Sequence, residues 1–495
     1  MEKRKVIIIG SGLGGLSTAV ILAKSGFKVT VFEKEKQIGG CLQCFKRGNA
    51  KFETGMHFLG SAKEGQTLDK ILNFLEVKKD LKLFGLDPTG YEIISFRGQK
   101  YKFASQKEPF INQMCEYFPS ERYNLEKYFS LIEEITQASP LHSFQYSGPD
   151  IQTNMKYRFE SVNSVLDNIF SDDLIKEVLV GNMPLYAAQK DKTPFSTHAY
   201  VMNFYNADSS RIVGGSDSIT FSMKKTIEKY GGEVLASSCV TDIVCQDLKS
   251  TGVIVNDSEF YPSDYVISDL HPASTVKLIG KPIRPAFRNR INTLPQTPGV
   301  FSIYVEFKEN TMPYMNYNFY GYNKENTVWD CEKYTLNSWP ECFLYMHFCQ
   351  IENPKYAHTG VILAYMRFSE VEKWSGTHVG NRGKDYENFK KLKAEKLLET
   401  VEKQVPGLRN CIKNYYTSTP LTYLDYTGTK DGSMYGVAKD VNLGPACRIP
   451  HRTRVSNVFQ AGQNVNAHGM LGVLVGTVIT CSELLTPRKM FELIN

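Results

Sequence analysis

Six consecutive residues, Gly10-Ser11-Gly12-Leu13-Gly14-Gly15, lie between an all-apolar run, Val6 to Ile9, and an apolar-periodic stretch from Leu16 to Ser25. In a strand–turn–helix of this kind the glycines let the backbone approach a diphosphate closely. The helix start adds unpaired N–H groups and a partial positive charge. Glu33, at the end of the next strand-like run from Lys28, can accept hydrogen bonds from ribose hydroxyls, and its charge disfavours a 2′-phosphate. The chemistry indicated is the binding of FAD or NAD rather than NADP.

A second group able to do chemistry is the C-x-x-C pair Cys41 and Cys44, since a dithiol can exchange electrons with a flavin. Disulfide reductases space their pair more widely and carry a second nucleotide motif, whereas no second G-x-G-x-x-G follows here. A separate NAD domain is therefore not expected. The remaining cysteines of the eleven are scattered singly, without the spacing of a zinc site or a disulfide framework, so no metal is expected and a reducing, cytoplasmic setting is the simpler reading.

The elements that must position these residues begin as a βαβ unit: the strand Val6 to Ile9, the helix Leu16 to Ser25 capped by Gly26, and the strand Lys28 to Glu33. From about Phe58 to Tyr205 the periodicity is helical with many aromatics, and no glycine-rich turn or short-strand rhythm intervenes before Gly214. Gly214-Gly215, an amphipathic helix stopped at Gly231-Gly232, and short strands around Val240 to Val244, Gly252 to Val255 and Tyr265 to Ser268 then restore the nucleotide-domain character. The chain of 495 residues is too long for one ordinary core. The pattern predicts an α/β nucleotide-binding domain assembled from residues 1–60, 206–275 and 426–495, with a substrate-binding cap from 61–205 and 276–425.

Composition excludes several classes. With 58 Lys plus Arg against 52 Asp plus Glu, the net charge of +6 is too weak for a nucleic-acid footprint. The basic start before Val6 mimics a signal peptide, but the glycines from Gly10 cut its apolar run short, so it reads as a first strand. Gly469 to Leu485 is almost uncharged, yet it is shorter than the about 20 residues a membrane span needs and carries Gly472, Gly476, Thr477 and Thr480. It reads as a helix buried in protein. Lys277 to Ile291 holds five basic residues and no acid, interleaved with apolar ones, a pattern that fits a solvated basic face or peripheral contact with an anionic membrane. Pro282 and Pro285 argue against a long helix there.

Gly39-Gly40 after Glu33, followed by Glu53-Thr54-Gly55-Met56-His57, resembles the glutathione-reductase-type FAD-binding fold, in which a second glycine pair passes the cofactor and the next segment runs toward the flavin. A closer resemblance, over nearly the full length, is to the phytoene desaturase, carotenoid isomerase and retinol saturase family of flavoproteins. It rests on Gly214-Gly215, Val240-Thr241-Asp242-Ile243, Asp264 to Asp269, Ala461-Gly462-Gln463-Asn464 and His468-Gly469-Met470-Leu471-Gly472. Gln463 stands where most members have aspartate, and Cys41 where phytoene desaturases commonly have arginine. With Gly39-Gly40-Cys41 and Glu53 to Gly60, the chain is most similar to the retinol saturase branch. The resemblance implies FAD held by the Gly10–Gly15 loop, Glu33, Gly39, Gly40, the Val240 backbone, Gly462, Gln463, Met470 and Leu471.

It also implies an oxidoreductase acting on a carbon–carbon double bond of a polyene or isoprenoid lipid, with saturation the first expectation and desaturation or cis–trans isomerisation the alternatives. Saturation needs a hydride from reduced flavin and a proton from the protein. His57, His468 and Tyr435 are the candidate donors. Electrons would come from outside, from NAD(P)H or a small electron-transfer protein. The prenyl-carrying Rab escort and dissociation-inhibitor proteins, similar in fold but without FAD, define the non-catalytic alternative. Their lost flavin signature contrasts with the largely intact one at 461–473.

Overall fold

The computed structural model describes residues 3–139, 151–323 and 327–494, so the stretch 140–150 of the expected cap lies outside the described residues. The N-terminal motif is built as the sequence demands. The strand Lys5–Ile9 is rich in isoleucine and buried on both faces, the pattern of a central parallel strand. It leads through Gly10, at a φ of +96° that only glycine adopts freely, into the helix Leu13–Lys24.

A five-stranded parallel sheet runs in the order Glu233–Leu235, Lys28–Phe32, Lys5–Ile9, Tyr265–Ser268, Val458–Gln460. Its strands thus come from three chain segments distant in sequence, 5–32, 233–268 and 458–460. An antiparallel meander, Val240–Gln246, Lys249–Val255 and Glu259–Pro262, sits beside it. The helix Gly469–Leu485 packs against Leu13–Lys24, where Ser17 Oγ and Thr477 Oγ1 share a hydrogen bond of 2.9 Å. No helix among the described residues is long and apolar enough to cross a membrane.

The second body is a seven-stranded sheet in the order Ile412–Ser418, Gly299–Phe307, Thr359–Met366, Cys342–His347, Asn318–Tyr322, Glu92–Phe96, Gln99–Phe103. Both of its faces are covered, so its central strands are apolar at successive positions. Along Gly299–Phe307, Val300 and Tyr304 face the aromatic core shared with the helices Arg122–Gln137 and Phe195–Ala207. Phe301, Ile303, Val305 and Phe307 face a separate core beneath the helix Lys384–Gln404. The period of two along a strand divides one run of residues between two cores.

The structure departs from the sequence expectation in two places. The span from Phe58 to Tyr205 is not all helical: Glu92–Phe96 and Gln99–Phe103 form a hairpin whose turn residues Arg97 and Gly98 both have positive φ, 51° and 74°. That is a two-residue turn with one glycine, obscured by the aromatic-rich helical periodicity around it. Secondly, Leu68, Ile71, Leu72, Leu75 and Val77 are buried with the nucleotide-side residues Val6, Ile8 and Leu16, and Val276, Ile279, Ile283 and Ile291 with Ile7, Ile9 and Val240. The flanks of both expected cap segments therefore pack on the parallel-sheet side. The apolar residues of the basic Lys277–Ile291 stretch are mostly committed to that core, whereas Lys277, Lys281 and Arg284 are exposed and Arg288 is partly buried, donating to Gly280 O at 2.6 Å.

Candidate active site

Three glycine segments distant in sequence meet backbone to backbone. A Cβ added to Gly14 would lie 2.7 Å from Gly462 N, one added to Gly40 would lie 3.1 Å from Gly12 Cα, and one added to Gly15 would lie 2.1 Å from Gly10 O. Side chains here would pry the segments apart or fill the space between them. The resulting cradle opens into a cavity of about 310 Å³, at the lower end of the range for small-molecule sites. One end is walled by Glu33, Lys34, Ser238, Cys239 and Val240, and the middle by Gly10 to Gly14, Gly40, Cys41, Gly462 and Gln463. The far arm is apolar, lined by Leu185, Val300, Leu344, Met346, Leu363 and Met434 with the rings of Tyr205, Tyr365, Tyr423 and Tyr435.

Most of the expected cofactor residues line this space: Gly10, Ser11, Gly12, Leu13, Gly14, Glu33, Gly40, Val240, Gly462, Gln463 and Met470. Gly15, Gly39 and Leu471 do not. Gly15 instead allows the helix to close on Gly10, Gly39 sits at a φ of +119° against Thr220, and Leu471 packs toward the nucleotide-side core. Glu33 is buried and accepts from Ser11 N at 3.0 Å, Ser11 Oγ at 2.6 Å and Glu35 N at 2.9 Å. These bonds tie the glycine turn to the second strand and hold the carboxylate at the cavity end.

The candidate proton donors separate. His57 lies on the cavity wall with Nε2 buried and without a hydrogen-bond partner, while Nδ1 is 3.6 Å from Glu53 Oε2. Glu53 is itself fixed by Ser216 N, which donates to Oε1 at 3.1 Å, and Arg211 Nη1 donates to the His57 carbonyl at 3.2 Å. The ring is thus held from behind with its free nitrogen unsatisfied. Tyr435 also lines the cavity, but its hydroxyl donates to Leu185 O at 2.6 Å and burial pushes its pKa up. His468 stacks on Tyr435, with ring centroids 4.3 Å apart. It keeps partial exposure, yet desolvation by its packed surroundings, with the Lys439 charge, pushes it down to about 4. It is therefore a neutral imidazole near pH 7 and a poor acid.

The thiols of Cys41 and Cys44 are pushed up by burial to about 11 and about 12, and neither is in a disulfide. Both are uncharged at neutral pH, which removes the nucleophilic form that dithiol chemistry requires. Among the described residues no cluster of His, Cys, Asp or Glu could hold a metal ion.

The aromatic-rich cap segments lead one to expect an apolar tunnel, but not which residues line it, because its walls are alternate residues of several strands; Asp269 entered the sequence reading only as the last residue of the Asp264–Asp269 segment of the resemblance, without a role of its own. Asp269 lines the cavity, and its carboxylate enters the glycine cradle: Cβ atoms built on Gly12 and Gly14 would fall 2.6 and 2.4 Å from its oxygens. Burial pushes this acid up to about 7.

The glycine cradle, the buried acid Glu33 and the imidazole nitrogen of His57 on one cavity wall fit a flavin dinucleotide. The family model described as flavin containing amine oxidoreductase matches residues 13–477, and the chain belongs to that family. It is an FAD-dependent oxidoreductase with the FAD-binding fold. Among relatives, it is 26% identical to the all-trans-retinol 13,14-reductase of Homo sapiens, over 99% of this chain and 87% of that one. It is 23% identical to the chloroplastic prolycopene isomerase 1 of an Oncidium hybrid cultivar, over 94% and 80%. An oxidoreductase from Methanosarcina mazei shares the fold with a TM-score of 0.65 at 16% identity, covering 97% of this chain and all of the other.

Proposed function

We propose that this chain is an FAD-dependent saturase that adds two hydrogens across a double bond of an isoprenoid polyene, a reaction of the all-trans-retinol 13,14-reductase type. The observation that carries the reading is the continuity of the glycine cradle with an apolar arm. Leu344, Met346, Leu363 and Val300 offer a polyene a wall without charge, and the tyrosine rings offer flat faces to a conjugated chain. Its length-spanning similarity to the retinol reductases supports the choice of substrate class.

In this reading the Gly10–Gly14 loop and Gly462 hold the diphosphate, Glu33 the ribose, and Gln463 and Met470 the region toward the flavin ring. The bound cofactor supplies hydride when reduced. His57 supplies the proton from Nε2, and Glu53 keeps the ring turned toward the cavity through Nδ1. The apolar arm aligns the alkene and excludes water. The reductant is external, NAD(P)H or a small electron-transfer protein.

The test is anaerobic mixing of the reduced holoprotein with all-trans-retinol. Flavin reoxidation together with loss of long-wavelength polyene absorbance and a product two hydrogens heavier supports the saturase. A product of unchanged mass and altered geometry makes the chain an isomerase, one two hydrogens lighter, formed with oxidised flavin, makes it a desaturase, and no conversion of bound retinol rules out that substrate.

A further inference from the structure

The glycine cradle contains a carboxyl group that a diphosphate site does not ordinarily welcome. Asp269 follows the strand Tyr265–Ser268, and its side chain turns into the space bounded by Gly12, Gly14, Gly15 and Gly462. Cβ atoms built on Gly14 and on Gly462 would each fall 2.4 Å from Oδ1, and one on Gly12 2.6 Å from Oδ2. The backbone N–H of Gly15 donates to the carboxylate. Asp269 therefore already occupies the start of the helix Leu13–Lys24, where the unpaired N–H groups and the dipole attract an anion.

We infer that Asp269 is a cofactor-binding residue that holds the diphosphate as a neutral carboxylic acid, so that binding FAD to the ionised form takes up one proton from solvent. The inference rests on the FAD reading above. An ionised Asp269 and a diphosphate cannot share these N–H groups without strong like-charge repulsion in a buried space. A protonated Asp269 can donate its O–H to a phosphate oxygen, and the proton that makes this bond comes from water.

Most of the influences on Asp269 work against its charge. Burial is the largest influence, and Glu33 faces it across the cradle with a second negative charge. Cys41, from the loop after Gly40, carries a thiol that stays uncharged to about 11. Gly15 N–H is the one donor that favours the anion. No cation among the described residues pairs with Asp269. With the free carboxyl titrating near 7, the direction of the linkage is fixed: below that pH the proton is already present, and above it binding must recruit one. FAD affinity then falls about tenfold per pH unit above the titration of the free protein.

The experiment measures the FAD dissociation constant of the deflavinated full-length protein from pH 6 to 9 by quenching of flavin fluorescence. Calorimetry in buffers of different ionisation heat counts protons. The wild type is expected to weaken about tenfold per unit above pH 7 and to take up one proton at pH 8. Asp269→Asn, which keeps size and a donor but cannot ionise, is expected to bind with a flat pH profile and more tightly than wild type at pH 9. Asp269→Ser serves the same purpose should the amide variant fold poorly. A flat wild-type profile, or an equal slope in wild type and both variants, overturns the proposal while leaving FAD binding intact. Absence of FAD binding at every pH overturns the cofactor reading together with it.

Discussion

Replacing His57 with glutamine tests the assignment of the proton donor most sharply. Its Nε2 is buried on the cavity wall with no partner, and Nδ1 faces Glu53 at 3.6 Å. Glutamine fills similar space and its amide can face Glu53, but it cannot deliver a proton. A positioned acid contributes about 10²–10⁴ to a proton-transfer step. At about 1.4 kcal/mol per decade, the loss expected for H57Q is about 3–5 kcal/mol of transition-state stabilisation. The assay is single-turnover reoxidation of the reduced flavin at saturating polyene, with the flavin spectrum and polyene dissociation constant measured alongside. The rate should fall by at least about a hundredfold while both binding properties hold. Glu53→Gln should lower the same rate less, because it loosens the ring without removing it. An H57Q rate within about threefold of wild type refutes the assignment and leaves His57 as a structural residue.

Four further outcomes follow from the same geometry. Gly15→Ala places a methyl 2.1 Å from Gly10 O, so the strand–helix turn must open; we expect loss of bound flavin and a destabilisation of about 1–3 kcal/mol, read from flavin content and thermal melting. Cys41 and Cys44, held protonated by burial, should resist thiol reagents at pH 7.5 in the folded protein, and the double serine variant should keep its flavin and its turnover. Leu344→Trp should fill the apolar arm, abolishing polyene turnover with the flavin spectrum unchanged. Glu92, buried and accepting from Asn182 Nδ2 and Tyr320 Oη at 2.9 Å each, is pushed up from 4.5 to about 7 by burial. The folded chain then keeps a proton that the unfolded chain has released, so stability is greatest below about pH 4.5 for this group and falls as pH rises through 7. Glu92→Gln, whose amide can donate to a reoriented Tyr320 hydroxyl, should remove a pH-dependent cost on the order of 3 kcal/mol, seen as a higher melting temperature than wild type at pH 8 and little difference at pH 5.

The nucleotide half of the site was legible because each requirement is local. Gly10 needs positive φ, Gly15 needs contact with a neighbouring carbonyl, and Glu33 must end the next strand, so a stretch of about two dozen residues states the whole geometry. The apolar arm is built otherwise. Val300, Leu344 and Leu363 are ordinary core residues in sequence, and only the order of strands in the seven-stranded sheet, with its alternation between two cores, turns them toward one space. The hairpin at Arg97-Gly98 fell between these cases: its turn is local, but the surrounding helical periodicity outweighed it. Asp269 shows a further limit. Its position at the end of a strand was visible, but its place in the cradle depends on Tyr265–Ser268 lying beside Lys5–Ile9, a pairing of residues more than 250 apart. A motif can state that a diphosphate fits, whereas the charge that the site presents to it is set by whichever distant strand the topology brings alongside. The dinucleotide class of the cofactor is therefore readable from the glycines, and the pH dependence of its binding is a property of the sheet order.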